Sequence, residues 1–186
     1  MSHFKTYFNE WAPGYDGDAE ILDYLAPAIA GEILSAHLAA ETPQIVDLGC
    51  GTGMSLAEVR KRFPNARLTG VDQSEGLLKE ARKKNLGVEF LQHDLSRGNI
   101  RLKRGVNDAV TMVGTLDFIP GNRMIYAFRT AASLLKEAGV FVFTFIPDQN
   151  IPHVNADIPD NHPERLLIES ILERRQAIST LGVHDS

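Results

Sequence analysis

The 186-residue chain, 44% apolar and 23% charged, fits one ordinary globular domain able to bury a core, and it shows no internal repeat or low-complexity tract. Its 24 acidic against 19 basic residues give a formal charge of -5, which speaks against nucleic acid or an anionic membrane as the main partner. The single cysteine, Cys50, excludes an internal disulfide and fits a reducing cytosol; "MSHFKTYFNEW" lacks the apolar core of a signal peptide, and no apolar run approaches the ~20 residues needed to span a bilayer.

From Met1 to Asp18 the chain reads as aromatic and irregular. Residues 19–40 carry Ile21, Leu22, Leu25, Ile29, Ile33, Leu34 and Leu38 at helical spacing, with Pro27 predicting two helices or a kink. Residues 44–48 read as a short buried strand, followed by a helix through Leu56, Val59, Arg60 and Phe63 that stops before Pro64. "ARLTGVD", 66–72, alternates as a strand; Ser74 can cap the next helix, with Leu77, Leu78 and Ala81 inward. "VEFLQHD", 88–94, is a third strand, "LSRGNIRLKRG" a loop or broken helix, and "DAVTMVG", 108–114, a fourth strand. Residues 122–136 are helical, "GVFVFTFIP", 139–147, is a fifth strand apolar on both faces, and 163–180 is a last helix. Apolar strands separated by helices predict an α/β fold: a doubly wound, Rossmann-like, mostly parallel sheet with helices on both faces. Such sheets bind ligands at the carboxyl ends of their strands, which puts the glycine loop, Asp72, Asp94 and "GTLDF" on one rim.

The loop "QIVDLGCGTGMS", 44–55, places Gly49, Gly51 and Gly53 where a strand meets a helix. Glycine costs roughly 0.5–1 kcal/mol relative to alanine inside an element, so three in five residues indicate a sharp turn and a close approach to the backbone. A ligand-free tight turn is the bland alternative. The dinucleotide fingerprint G-x-G-x-x-G does not fit, because the spacing is G-x-G-x-G with Met54 in the last place; no G-K-[ST] follows for a phosphate loop. Asp47, just before the loop, would repel a diphosphate and attract an ammonium or sulfonium group. Asp72, 21 residues after Gly51, stands at the end of the next strand, where a carboxylate is a natural bidentate acceptor for ribose hydroxyls. Asp72, Asp94 and Asp47 each have a plain alternative as turn, cap or strand-end acids, and Cys50 is read as a small packing residue rather than a nucleophile.

"VDLGCGTG", 46–53, resembles motif I of the class I S-adenosylmethionine-dependent methyltransferases. "GVDQS", 70–74, is similar to their second motif, and "QHDL", 92–95, to their third; "LLKEAGVFVFTF", 134–145, resembles their helix-to-strand-five segment. "YFNEWAPGYD", 7–16, looks like the amino-terminal element of the small-molecule branch, which includes quinone C-methyltransferases. The resemblance covers about residues 7–147 and implies S-adenosyl-L-methionine as cofactor, with S-adenosyl-L-homocysteine as product. It puts Asp72 on the ribose hydroxyls, Asp94 on the adenine amino group and Leu95 beside the ring. The expected cofactor-binding residues are Tyr15, Asp47, Gly49, Cys50, Gly51, Gly53, Asp72, Gln73, Asp94, Leu95, Gly114 and Asp117. The implied organisation is a helical cap at 1–43, a cofactor-binding core at 44–147, and a loop and helix at 148–186.

Transfer of an activated methyl needs chiefly alignment, which can contribute ~7–11 kcal/mol, so no catalytic residue need be readable. "GTLDFIP" replaces the N-P-P-Y-like motif of DNA amino-methyltransferases and removes that branch. Asp117 and Phe118 are expected to touch cofactor or acceptor, and Trp11 and Tyr15 to form a lid or a staple on the first helix. Asp148, His153, Asp157, Asp160 and His162 have no metal-site spacing, so no metal is expected; His153 is a base candidate by position alone. The family continues past strand five with two more strands, for which this sequence leaves no room, so either the chain is truncated or strand five is left exposed; a homodimer through that edge is expected, with residues 148–160 folding back over it in the same chain as the alternative. The reading is a cytosolic methyltransferase acting on a small molecule. A non-catalytic S-adenosylmethionine-binding protein and, behind it, a nicotinamide oxidoreductase remain the alternatives.

Overall fold

The computed structural model describes residues 3–145. Three helices come first: α1 (His3–Trp11), α2 (Tyr15–Ile21) and α3 (Ala26–His37). The core follows as β1 (Gln44–Leu48), α4 (Met54–Arg62), β2 (Arg67–Asp72), α5 (Glu75–Lys83), β3 (Val88–Gln92), β4 (Asn107–Met112), α6 (Met124–Leu134) and β5 (Leu135–Phe143). The sheet is parallel throughout, in the order β3-β2-β1-β4-β5.

Alternation along the central strands divides the core into two layers. Ile45, Leu68 and Ala109 pack with Leu34 of α3, with Leu56 and Val59 of α4 and with Phe63 just past its end; Val46, Leu48, Val110 and Met112 pack with Met124, Ala127, Ala131 and Leu134 of α6. Both faces are therefore covered, which is why these strands read as continuous apolar runs. The strand order reverses between β1 and β4, the switch point at which the connections leaving neighbouring strands diverge and such sheets form a crevice outside the strands' carboxyl ends.

Local chemistry sets the ends of the helices. Ser74 accepts the Leu77 N–H at 3.1 Å as the cap of α5, which buries Leu77, Leu78 and Ala81. α4 ends one residue before Phe63, with Pro64 next in the chain. Pro27 lies in the first turn of α3, where its missing N–H costs nothing, so it starts a helix and the segment is two helices.

Three sequence expectations need correcting. Residues 3–11 and 15–18 are helical rather than irregular. α3 turns Pro27, Ala30, Gly31 and Leu34 inward and leaves Leu25, Ile29 and Ile33 exposed. Small residues face inward because the helix runs close to α4: a Cβ on Gly31 would lie 3.0 Å from the Arg62 guanidinium. β5 begins at Leu135, pairs with Asn107, and then shifts register so that Val140 faces Ala109; Lys136, Glu137 and Ala138 form the exposed bulge between. The expected helix 163–180 and the loop 147–164 lie outside the described residues, and so do His153 and the acids beside it.

Candidate functional site

The glycine loop leaves β1 with all three glycines at positive φ: 79° at Gly49, 53° at Gly51 and 82° at Gly53. The turn is held to the neighbouring strand by Gly49 and Cys50 N–H groups donating to the Val71 carbonyl at 2.6 and 2.9 Å. At Gly49 the constraint is steric as well. A Cβ there would sit 2.2 Å from the Thr115 hydroxyl oxygen, whose own proton goes to the Leu48 carbonyl at 3.1 Å. At Gly51 the space is open instead: a Cβ would meet only Leu77 Cδ1, at 4.0 Å.

Asp72 ends β2 beneath this loop and is 8% exposed. One carboxylate oxygen accepts the Gly51 N–H at 2.9 Å and the other the Ser74 N–H at 2.8 Å. The carboxylate thus locks the glycine loop to the start of α5; the Gln73 N–H acts on it as well, and three backbone donors leave part of its acceptor capacity over. Burial pushes its pKa up, against these backbone donors. Asp94, after β3, caps its own turn: one oxygen accepts the Ser96 N–H at 3.0 Å and the Ser96 hydroxyl at 2.6 Å, and Arg97 pairs with the other at 3.1 Å. Burial would raise its pKa, but the serine and arginine outweigh that and hold it below the usual carboxylate value. Beside it, His93 donates Nε2–H to the Gly98 carbonyl at 2.9 Å.

One cleft at this rim is lined by Tyr15, Gly49, Cys50, Gly51, Asp72, Gln73, Asp94, Leu95 and Gly114 among the residues the sequence singled out. Three others stand back from its wall. Asp47 is 1% exposed and sits opposite Thr111 in the β1–β4 register, whose hydroxyl donates to it at 2.7 Å. Its side chain points into the layer between sheet and helices, so it acts on the cleft only as a field; burial raises its pKa to about 7. Gly53 is used by the fold, as the left-handed cap of α4; a Cβ there would lie 3.5 Å from Ala81. Asp117 lies in the turn Leu116–Phe118, from which Phe118 rather than Asp117 reaches the cleft.

The cap closes the cleft from above. Phe4 and Phe8 meet Phe118 edge-on, with ring centroids 5.7 and 4.9 Å apart. Trp11 stays off the cleft wall, stacked on Phe8 and edge-on to Tyr15 with its indole N–H given to Asp18, so of the two expected lid residues only Tyr15 lines the cleft. Two polar latches hold the cap to the rim. Asn9 accepts from the Ser74 hydroxyl and from the Gly76 N–H, both at 2.8 Å. Asp16 accepts from the Thr52 hydroxyl and pairs with Lys84 at 2.6 Å. Sequence reading missed Asn9, Tyr24, Thr52, His93 and Thr115. Thr52 lies inside the glycine loop, and Asn9, His93 and Thr115 lie inside quoted stretches, so all four could have been flagged by position; Tyr24 carries no motif signal.

The described residues hold no cluster of three or more His, Cys, Asp or Glu side chains able to bind a metal. They contain no helix long and apolar enough to cross a membrane.

A family model described as a methyltransferase domain matches residues 45–139, just over half of the chain. The human methyltransferase-like protein 27 is 35% identical over 113 residues, covering 59% of this chain and 45% of that protein. The carboxy-S-adenosyl-L-methionine synthase of Wolinella succinogenes is 32% identical over 126 residues, 64% of this chain and 51% of that protein. The chain spans about half the length of these curated relatives. A solved structure from Methanococcus maripaludis, described as an S-adenosyl-L-methionine-dependent methyltransferase, superposes with a TM-score of 0.64 at 20% identity. That likeness covers 95% of this chain and 85% of the other, and it supports the fold.

Proposed function

The chain belongs to the class I S-adenosylmethionine-dependent methyltransferases, and from that premise we propose that it binds S-adenosyl-L-methionine in the β1–β4 crevice and passes the methyl group to a small-molecule acceptor. The observation that carries this reading is the lock between Asp72 and Gly51: a buried carboxylate with acceptor capacity left over, under a glycine whose outer face is open. That arrangement fits the cofactor. Asp72 would take the ribose hydroxyls, the backbone from Gly49 to Gly51 would lie against the chain of the amino acid, and Leu95 with Ser96 would border the base. Asp94 spends most of its acceptor capacity on Ser96 and Arg97, so it supports that wall chiefly by shaping the turn.

When bound, the cofactor supplies a methyl group already activated by a sulfonium centre. The chain's own residues hold, align and exclude water. Phe4, Phe8 and Phe118 roof the cleft with apolar rings, which removes competing solvent from the acceptor. His93 also lines the cleft, on the turn that borders the base; its Nε2–H is committed to Gly98 and Nδ1 remains an acceptor. The acceptor reading draws support from the trans-aconitate 2-methyltransferase of Acidovorax sp., 41% identical over 75 residues, whose name gives a small-molecule acceptor. The cytosol fits a lone buried Cys50. A dimer through β5 is supported by its place at the edge of the described sheet; a species of monomer mass in sedimentation at micromolar concentration contradicts it.

The test is transfer from methyl-labelled S-adenosylmethionine to a panel of small metabolites. Label appearing in a small product, and lost in Asp72→Ala, is the expected outcome. Binding of the cofactor without transfer to any acceptor would favour a non-catalytic binding protein.

A further inference from the structure

Tyr24 has no part in the cofactor contacts described above. It sits in the turn between α2 and α3, where Asp23 at φ 52° reverses the chain. That reversal leaves Leu22 and Leu25 exposed and turns Tyr24 inward to line the cleft. Its hydroxyl lies so close to Gly114, at the end of β4, that a Cβ on that glycine would be 2.4 Å from it. Glycine at 114 therefore makes room for this oxygen. Among the described residues the hydroxyl has no hydrogen-bond partner, and two carboxyl groups, Asp47 and Asp117, act on it beside the Tyr15 phenol, which burial holds above its ordinary value and so neutral. Burial and these neighbours push its pKa up to about 12, so it stays a neutral phenol with free lone pairs. None of the described cleft-lining residues is Lys or Arg.

We propose that the Tyr24 hydroxyl is a binding residue for the positively charged centre of the cofactor, and that it favours S-adenosylmethionine over its uncharged product. This rests on the cofactor assignment above. An oxygen without a protein partner, in a negative field, gains more from a cation than from a thioether. The device would speed exchange of product for fresh substrate, since the preference vanishes once the charge has left with the methyl group.

The experiment is calorimetric titration of S-adenosylmethionine, S-adenosylhomocysteine and sinefungin, which carries an ammonium where the cofactor has its sulfonium. Wild type is compared with Tyr24→Phe. The expected result is a loss of roughly tenfold for sinefungin, whose ammonium can donate to the hydroxyl oxygen, a smaller loss of about threefold for S-adenosylmethionine, whose sulfonium offers only its charge and polarised C–H groups, and less than twofold for the thioether. Tyr24→Met, which keeps an apolar side chain but also lacks the hydroxyl, gives the same readout if the phenylalanine variant does not fold. Equal losses for all three ligands, or none, would overturn the proposal. Wild type binding none of them would remove the cofactor assignment, and this inference with it.

Discussion

The two halves of the cleft wall are built differently. The lower half belongs to the sheet: β1, β2 and β4 are buried on both faces, and their ends present backbone groups fixed by the ladder itself. The upper half belongs to the cap, whose helices α1 to α3 leave Phe4, Tyr7, Ile21, Leu22, Leu25 and Ile29 exposed and reach the rim through a few polar latches and an aromatic contact. A wall made of backbone is stable whether or not a ligand is present. A wall held by side-chain latches can open at small cost, which is what a ligand buried between the two halves requires for entry and exit.

The largest effect should come from attacking the sheet side at its tightest point. Gly49→Ala forces a side chain into the left-handed region and onto Thr115, and these two penalties together come to about 2–5 kcal/mol. Thermal unfolding should show the loss, and S-adenosylhomocysteine binding should vanish with it. A variant of wild-type stability would mean that Thr115 yields easily and the loop is softer than described.

A pH titration probes the same half. In the folded chain Asp47 keeps its proton up to about pH 7, whereas unfolded it titrates near the ordinary aspartate value. Between those values the folded chain binds more protons, so stability falls as pH rises from about 4 to 7; Asp72, also raised, contributes with the same sign. Asp47→Asn should flatten the slope and make the chain more stable than wild type at pH 8, by an amount of order 2–4 kcal/mol. Denaturant melts at pH 5 and pH 8 would show it, and a wild-type slope retained by the variant would remove Asp47 as the source.

At the junction, Asp72→Ala should lower cofactor affinity by about 1.5–3 kcal/mol, the range for hydrogen bonds to a charged group. It should also loosen the loop, because the Gly51 and Ser74 N–H groups lose their acceptor. Affinity unchanged in calorimetry would take Asp72 out of the site.

The smallest effect is expected in the cap. Asn9→Ala removes two hydrogen bonds at the start of α5, worth about 1–2 kcal/mol together. It should speed proteolysis of residues 3–37 while leaving the melting of the sheet nearly unchanged. A matching loss in both would show that cap and sheet unfold as one unit.

The same contrast explains what the sequence made legible. Strands such as Gln44–Leu48 and the Ser74 cap announce themselves through periodicity and local hydrogen bonding, and the glycine loop through the conformational cost of its composition. The place of Asp47 was not legible because a strand-end acid reads alike whether it faces a ligand or a neighbouring strand; the β1–β4 register pairs it with Thr111. In the cap the pattern was there, but the buried side was the small-residue one, since closeness to α4 favours Ala30 and Gly31 over Ile29 and Ile33. Tyr24 reaches the rim through one reversed turn at Asp23, which no spacing rule would reveal.

The central claim is that a ligand lies directly against the backbone at Gly51, where a side chain would meet open space rather than protein. Calorimetry of S-adenosylhomocysteine and NAD against the wild type and Gly51→Val tests it. The wild type should bind the former and not the latter, and the folded variant should bind neither. Normal binding of S-adenosylhomocysteine by a folded Gly51→Val variant, or tighter binding of NAD by the wild type, would contradict the account.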